Sequence, residues 1–325
     1  MTTTARTVNP TDVIDSDKRV GRSLWADARR RLFRNRGAVI GLITIAFFVL
    51  LALFAPLIAP HNPVDQTANN SLKPPVWVTD NPRRMPNPDH VLGTDNNGRD
   101  ILSRLIYGVR VSLIVGILPQ ILIVGIGVSV GLIAGFRGGW VDNLLMRFTE
   151  IVAAFPDLLF IITLTVALRE TLFGRAFNGL LLIFTAVAII GWTGMARLVR
   201  GQVLSLKEKE FIESARAVGV PTGQILWRHV LPNTLAPIIV AISFSIPALI
   251  STEAILTVLG VGMRPSVDPA NPFPTSLGVM LDEGFANLSS GPWMLLWPVV
   301  AISLLVLAFT FVGDGLRDAL DPRGN

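Results

Sequence analysis

The sequence contains no cysteine, three histidines and one tyrosine among 325 residues, and only 16% of its residues are charged. Without cysteine there is no disulfide framework and no thiolate metal site. The histidines (His61, His90 and His229) are far apart in sequence and form no HExxH pattern, so no metal site is expected. A soluble domain carries about 25% charged residues, and the deficit here is matched by a 51% hydrophobic content. No GxxxxGK[ST] phosphate loop, nucleophile elbow or paired carboxylates occur in the polar segments, which leaves no sign of an enzyme centre. The net charge of +5 is read through membrane topology rather than nucleic-acid binding, because Lys and Arg collect on cytoplasmic segments.

What the chain does have is long apolar runs. A bilayer core of about 30 Å needs roughly 20 helical residues, and six segments reach that length: Ala38–Ala59, Val111–Phe136, Phe148–Leu168, Ala176–Ala196, Leu235–Met263 and Pro292–Gly313. Four are free of charge. The third carries Glu150 and Asp157, and the fifth carries Glu253. Lipid cannot satisfy backbone groups, and these runs lack the alternation of a barrel strand, so they are expected to be helices. The fold class is therefore an all-α integral membrane protein with about six transmembrane helices.

Placing the N-terminus in the cytoplasm puts 19 of the 28 Lys and Arg residues inside and 9 outside, so both termini are expected inside. The resulting plan is a cytoplasmic tail (1–37), a first transmembrane helix (38–59), an extracytoplasmic loop (60–110), a core with five transmembrane helices (111–313) and a cytoplasmic tail (314–325). About 37 polar residues precede the first apolar run, which reads as a retained anchor rather than a cleaved signal. Residues 1–21 read as an unstructured polar tail. The stretch Ser23–Arg36 is basic and amphipathic; Trp25, Leu32 and Phe33 suit the headgroup layer, and an ordinary positive flank is the alternative. Prolines crowd the two outer loops, at 60, 63, 74, 75, 82, 86 and 88 and again at 265, 269, 272 and 274, and argue against regular structure there.

The most informative stretch is cytoplasmic, within 200–234. Residues 207–218 are good helix formers, with Phe211, Ile212, Ala215 and Val218 at helical spacing. Gly219 fits the left-handed position that ends a helix, and Pro221 follows. A second short helix is expected from Thr222 to about Leu231, broken by Pro232 before the fifth span. Periodicity alone leaves two readings open: a membrane-surface hairpin without a partner, or a knob that docks in the groove of a soluble protein.

Glu213-Ser214-Ala215, Gly219 and Leu231-Pro232 resemble the EAA loop of ATP-binding-cassette importer permeases, whose pattern is EAA, three residues, Gly, nine residues, I-x-LP. Ser214 replaces the second-position Ala, and His229 stands where the general pattern has Ile. A His followed by Val-Leu-Pro is similar to the peptide-importer branch. The segment His90–Gly108, Gly139–Arg147, Phe155-Pro156, Trp192-Thr193 with Ala196-Arg197 and Arg200, Glu253-Ala254 with Leu259–Gly262, and Gly313–Arg323 resemble the C-type membrane subunit of the oligopeptide/dipeptide (peptide/nickel) permease family from about residue 22 onward.

The resemblance implies a type I importer permease fold with a cytoplasmic coupling helix, in a bacterial inner membrane. It also implies a second, different permease subunit, two ATPase subunits holding ATP and Mg, an extracytoplasmic binding protein and a peptide substrate. This chain would bind no cofactor itself. Glu213, Ala215 and Gly219 take the coupling role by resemblance, with Ser214, Leu231 and Pro232 in the motif and Arg216 and His229 as docking or positioning residues. Nickel chelates or another small solute are alternative cargoes. A secondary transporter driven by an ion gradient is the alternative of a different class, although no paired repeats support it.

Intramembrane carboxylates are costly and often functional. Asp157 and Glu253 are candidates for the pathway, with Glu253 near the outer end of its helix and facing Arg264 or a partner's arginine. A helix-end or interhelical polar contact is the other reading. Asp95, Arg99 and Asp100 read equally as an extracytoplasmic contact for the binding protein or as a turn with a local ion pair.

Overall fold

A computed structural model describes residues 24–79 and 85–321, with side chains from residue 26 onward. The expected unstructured tail over 1–21 and the side chain of Trp25 lie outside the described residues. Among the described residues every regular element is helical, with one isolated bridge between Thr94 and Asp100. Helix α1 (Leu24–Arg34) leads into α2 (Arg36–Leu53), which starts where the Asn35 side chain accepts from the Ala38 amide at 3.2 Å. Leu32 is half-buried and Phe33 is 61% exposed. After a short turn at Ala55–Ile58, the described residues of the loop from Ala59 to Asp100 carry one 3-10 turn, Ala68–Asn70.

Helix α3 (Ile101–Arg137) is longer than its apolar run. The Asp100 carboxylate caps it, accepting from the Ser103 amide at 2.7 Å. Arg104 and Arg110 hid its first ten residues from a reading based on charge-free windows, so residues 101–110 are helix rather than loop. Gly138 and Gly139 follow at φ +65° and +57°, left-handed backbone that a side chain would strain, and turn the chain into α4 (Gly139–Ala153).

The third expected span is not one rod. Helix α4 and α5 (Asp157–Leu168) meet at an angle of 75°, with Pro156 at the break. Proline lacks an amide hydrogen and disfavours helix in the residue before it, so Phe155-Pro156 separates the two. Among the described residues five helices are long and apolar enough to cross a membrane, or six if the bent pair counts as one. Helix α6 (Leu180–Leu206) starts four residues later than expected, after Phe177 and Asn178 at φ 50° and 59°, and reaches ten residues further.

Helix α7 (Glu210–Ala217) precedes α8 (Leu231–Val258). Pro232 does not break the chain before α8, contrary to expectation. Thr222–Ile225 is α-helical, Leu226–Val230 forms a π turn, and both run straight into α8. The wider turn brings the Leu231 amide to the Leu226 carbonyl and accommodates Pro232, whose missing amide hydrogen then interrupts the ladder without breaking the helix.

The outer loop 264–291 contains α9 (Leu277–Ala286), which the surrounding prolines concealed. The Ser276 hydroxyl caps it, accepting from the Val279 amide at 3.1 Å. Helix α10 (Trp293–Leu320) runs back and passes the expected start of the C-terminal tail by six residues.

The tightest packing joins α3 to α6. Gly127, Gly131 and Gly135, one per turn, lie against the second helix: an added Cβ would come within 2.6 Å of Met195 Cβ, 2.6 Å of the Ala196 carbonyl oxygen and 2.8 Å of Val203 Cβ, respectively. In lipid, helices associate by close van der Waals fit rather than by a hydrophobic drive, which is why small residues four apart mark the contact.

Candidate functional site

The polar hairpin between α6 and α8 is anchored on one side and bare on the other. Ile212 (0% exposed), Ala215, Ile225 and Val230 belong to the same buried cluster as Leu132, Val199 and Val203. The four apolar residues spaced along α7 therefore split. Ile212 and Ala215 point inward, while Phe211 (42% exposed) and Val218 (80% exposed) point outward, as does Trp227 on the following turn (72% exposed). The outward set has too few neighbours in this chain to be a core face.

Gly219, at φ +79°, ends α7 as expected. The Gly219 amide donates to the Arg216 carbonyl and the Val220 amide to the Ala215 carbonyl, both at 3.0 Å. Glu213, Ser214, Gly219 and Pro232 are exposed, and His229 and Leu231 are half-buried. The Arg216 guanidinium stacks 5.1 Å from the centre of the Phe136 ring, at the end of α3. The His229 and Phe211 rings approach to 6.5 Å, so His229 braces an outward apolar residue. The hairpin is thus rigidly seated on α3 and α6 and continuous with α8.

The membrane-depth carboxylates occupy different places. Asp157, in the first turn of α5, where the helix dipole favours an anion, lines a cavity of about 410 Å³ together with Gln120, Ser245 and Thr252. Glu253, 1% exposed, meets the outer helix: its Oε1 accepts from the Ser276 hydroxyl at 2.6 Å and the Thr257 hydroxyl at 3.1 Å, while Oε2 is buried with no hydrogen-bond partner. Glu253 does not face Arg264. Arg264 pairs instead with Glu170 in the short loop after α5, where both side chains keep their water, whereas a guanidinium at Glu253 would have to be stripped of it. The Arg264 and Arg175 hydrogen bonds hold the Glu170 carboxyl below its ordinary range.

Asp95, Arg99 and Asp100 are 1–5% exposed, so their side chains turn into this chain's own fold. Arg99 Nε donates to Asp95 at 2.6 Å, and its Nη2 donates to Glu283 on α9 at 2.9 Å; Arg104 reaches the same two carboxylates. The turn with a local ion pair is the arrangement present, enlarged to four charges that staple the first outer loop to α9. Nothing local in the sequence links Glu283 to Arg104, which are 179 residues apart. On the opposite face, Arg200 grips Asp142 through two hydrogen bonds of 2.6 and 2.7 Å, tying α6 to α4.

Two family models match the chain: the inner membrane component of binding-protein-dependent transport systems over residues 127–324, and the N-terminal transmembrane domain of oligopeptide transport permease C over residues 23–75. Full-length relatives agree. The chain is 41% identical over 312 residues to the oligopeptide transport system permease protein OppC of Haemophilus influenzae, covering 96% of this chain and 93% of that one. It is 39% identical to OppC of Escherichia coli K12 over 303 residues (93% and 92%), and 38% identical to the dipeptide transport system permease protein DppC of Bacillus subtilis over 310 residues (95% and 89%).

The chain belongs to this family of transport permeases. It is a multi-pass membrane subunit of an ATP-binding-cassette importer of the inner membrane. A solved structure of the MetNI methionine ABC transporter in an inward-facing conformation shares the fold, with a TM-score of 0.53 at 19% identity over 68% of this chain and 98% of that one. A permease of this family works in general with ATPase subunits and a partner permease, which gives the outward apolar face of the hairpin a class of protein to meet.

Proposed function

We propose that this chain forms half of the translocation pathway for peptides and couples it to two ATPase subunits on the cytoplasmic side. A second, different permease subunit supplies the other half, and an extracytoplasmic binding protein delivers the peptide. ATP and Mg belong to the ATPase subunits. Both termini lie in the cytoplasm, as the Lys and Arg distribution favours.

The observation that carries the coupling role is the division of the hairpin into a buried anchor (Ile212, Ala215) and an outward apolar set (Phe211, Val218, Trp227). A face of that kind on a surface helix suits insertion in a groove. Because Thr222–Val258 runs without a break, a push on the hairpin moves α8, and with it Glu253 at the outer end. Glu213, Ser214 and Arg216 border the outward set and act as polar positioning contacts, with Gly219 setting the bend. Asp157 lies on the pathway, and Glu253 latches α9 to α8 as an outer gate. The peptide cargo rests on the oligopeptide and dipeptide permeases among the relatives.

The test is reconstitution of this chain with the second permease and the ATPase subunits. Peptide-loaded binding protein should stimulate ATP hydrolysis and drive peptide uptake. Solute accumulation by this chain alone, without nucleotide, would overturn the reading.

A further inference from the structure

His61, His90 and Asp100, 39 residues apart from first to last, converge at the outer end of α3, where each offers one ligand atom and these atoms all lie within 4.8 Å of one another. His90 is 7% and Asp100 2% exposed. His90 Nδ1 is 3.0 Å from Asp100 Oδ1, and His61 Nδ1 is 3.8 Å from Asp100 Oδ2. The two imidazole rings are tilted, with centres 4.7 Å apart. His61 Nδ1 is buried and has no hydrogen-bond partner, although it is aimed at this cluster. A buried acceptor or donor left unmade costs about 1–3 kcal/mol, a cost that an ion bound at Nδ1 would relieve.

We propose that His61, His90 and Asp100 hold one divalent transition-metal ion, with Zn2+ the best match, as a staple on the extracytoplasmic loop. Two neutral imidazoles and one carboxylate suit Zn2+, whereas Ca2+ and Mg2+ prefer all-oxygen shells. Bonds of about 2.0–2.2 Å in a tetrahedron set ligand atoms roughly 3.3–3.6 Å apart; His90 Nδ1 and Asp100 Oδ1 are at 3.0 Å and the whole set lies within 4.8 Å, so a shift of His61 by about an ångström closes the shell. The metal takes Nδ1 of both rings. The ring proton of His90 then sits on Nε2, which lies 3.2 Å from the Asn70 side-chain amide. Turning that amide over lets its oxygen accept the proton, the outer-shell contact that fixes a ligating imidazole, in exchange for the long 3.4 Å bond that Asn70 Oδ1 accepts from Asn87. The carboxylate keeps its second task, because Asp100 Oδ2 caps α3 at the Ser103 amide. The His61 amide donates to the Ser103 hydroxyl at 3.0 Å, so the loop strand is already fixed beside that cap. Three protein ligands leave a fourth position for water or for a ligand arriving from outside.

The test uses the full chain, carrying no histidine tag, purified in detergent and stripped with a chelator. Zn2+ is titrated by calorimetry and by thermal unfolding, and Co2+ is titrated by its visible ligand-field bands. The wild type should bind one ion per chain with a rise in Tm and tetrahedral Co2+ bands. His61→Gln and His90→Gln should each weaken binding at least about tenfold, and His229→Gln, on the other side of the membrane, should leave it unchanged. His61→Gln removes only a half-exposed side chain, so it retains a fold in which the loss can be read. Equal binding by the wild type and His61→Gln would overturn the proposal. So would a Tm insensitive to Zn2+, which would leave the direct contact of His61 with Asp100 as the reason for the cluster.

Discussion

The Ser276 hydroxyl donates to Glu253 Oε1 at 2.6 Å while accepting from the Val279 amide at 3.1 Å. One oxygen therefore both caps α9 and ties it to the outer end of α8. In the proposed coupling a movement of α8 would reach the outer surface through this contact, whose two partners are separable by mutation.

Glu253→Gln keeps the shape and the Oε1 acceptor but places an amide N–H group at the buried position of Oε2, where no partner lies, and a buried donor left unmade costs about 1–3 kcal/mol. Uptake of peptide by the reconstituted complex should fall roughly tenfold or more, since about 1.4 kcal/mol is a factor of ten, while copurification with the partner subunits persists. Normal uptake would remove the gate role. Ser276→Ala should lower both uptake and stability, because it also removes the cap, for which about 1 kcal/mol is typical.

The glycine stripe on α3 gives a packing prediction. Gly131→Val places a branched side chain where even a Cβ would lie 2.6 Å from the Ala196 carbonyl oxygen. Overpacking of this kind costs about 1–3 kcal/mol, so Tm in detergent should drop. Gly125→Val, at a glycine with open space around it, should leave Tm nearly unchanged. Equal effects would show that the stripe is not the contact.

The outer ion cluster should be intolerant of partial removal. Glu283→Gln leaves Arg104, 2% exposed, and Arg99 with only Asp95 between them. Removing one partner of a buried pair costs about 3–5 kcal/mol. Loss of ordered contact between the first outer loop and α9 should appear as faster hydrogen exchange at residues 93–100. Unchanged exchange there would mean that the cluster holds nothing in place.

The Glu170 pairs predict a pH dependence of defined sign. Their carboxylate is held below its ordinary range by Arg264 and Arg175, so the contribution is present above the unfolded-state value and is lost as pH falls through the folded-state value. The Tm difference between wild type and Glu170→Gln should be larger near about pH 7 than near about pH 3. Glu170 is exposed and Arg264 half-exposed, so added salt should shrink the difference. A difference that grows on acidification would have the wrong sign.

Much of this architecture can be read from local pattern, because lipid makes long apolar runs unambiguous. The hairpin turn at Gly219 follows from a left-handed requirement that glycine meets. The features that escaped are relations between distant residues or exceptions to one-residue rules. Pro232 is accommodated within the helix once a π turn precedes it. Pro156 is a readable kink signal, but the 75° angle between the two helices is not. Helix α9 is short and sits among prolines that mask it. The pairing of Glu283 with Arg99 and Arg104, and the meeting of His61 with His90, depend on how α9 and the first outer loop lie against α3, which no local spacing encodes. The stripe at 127, 131 and 135 was legible as small residues four apart, a signal that hydropathy alone passes over.

The coupling hairpin is the centre of the account, and the lack of native cysteine makes it directly testable. A single cysteine at Val218 or Trp227, each outward-facing, provides the chain's sole thiol for a short crosslinker in membranes containing the whole complex. The account predicts that both positions capture an ATPase subunit, that a cysteine in place of buried Ile212 does not, and that the crosslink abolishes ATP-driven uptake. Capture of no nucleotide-binding chain from either position, with uptake unaffected by the reagent, would contradict it.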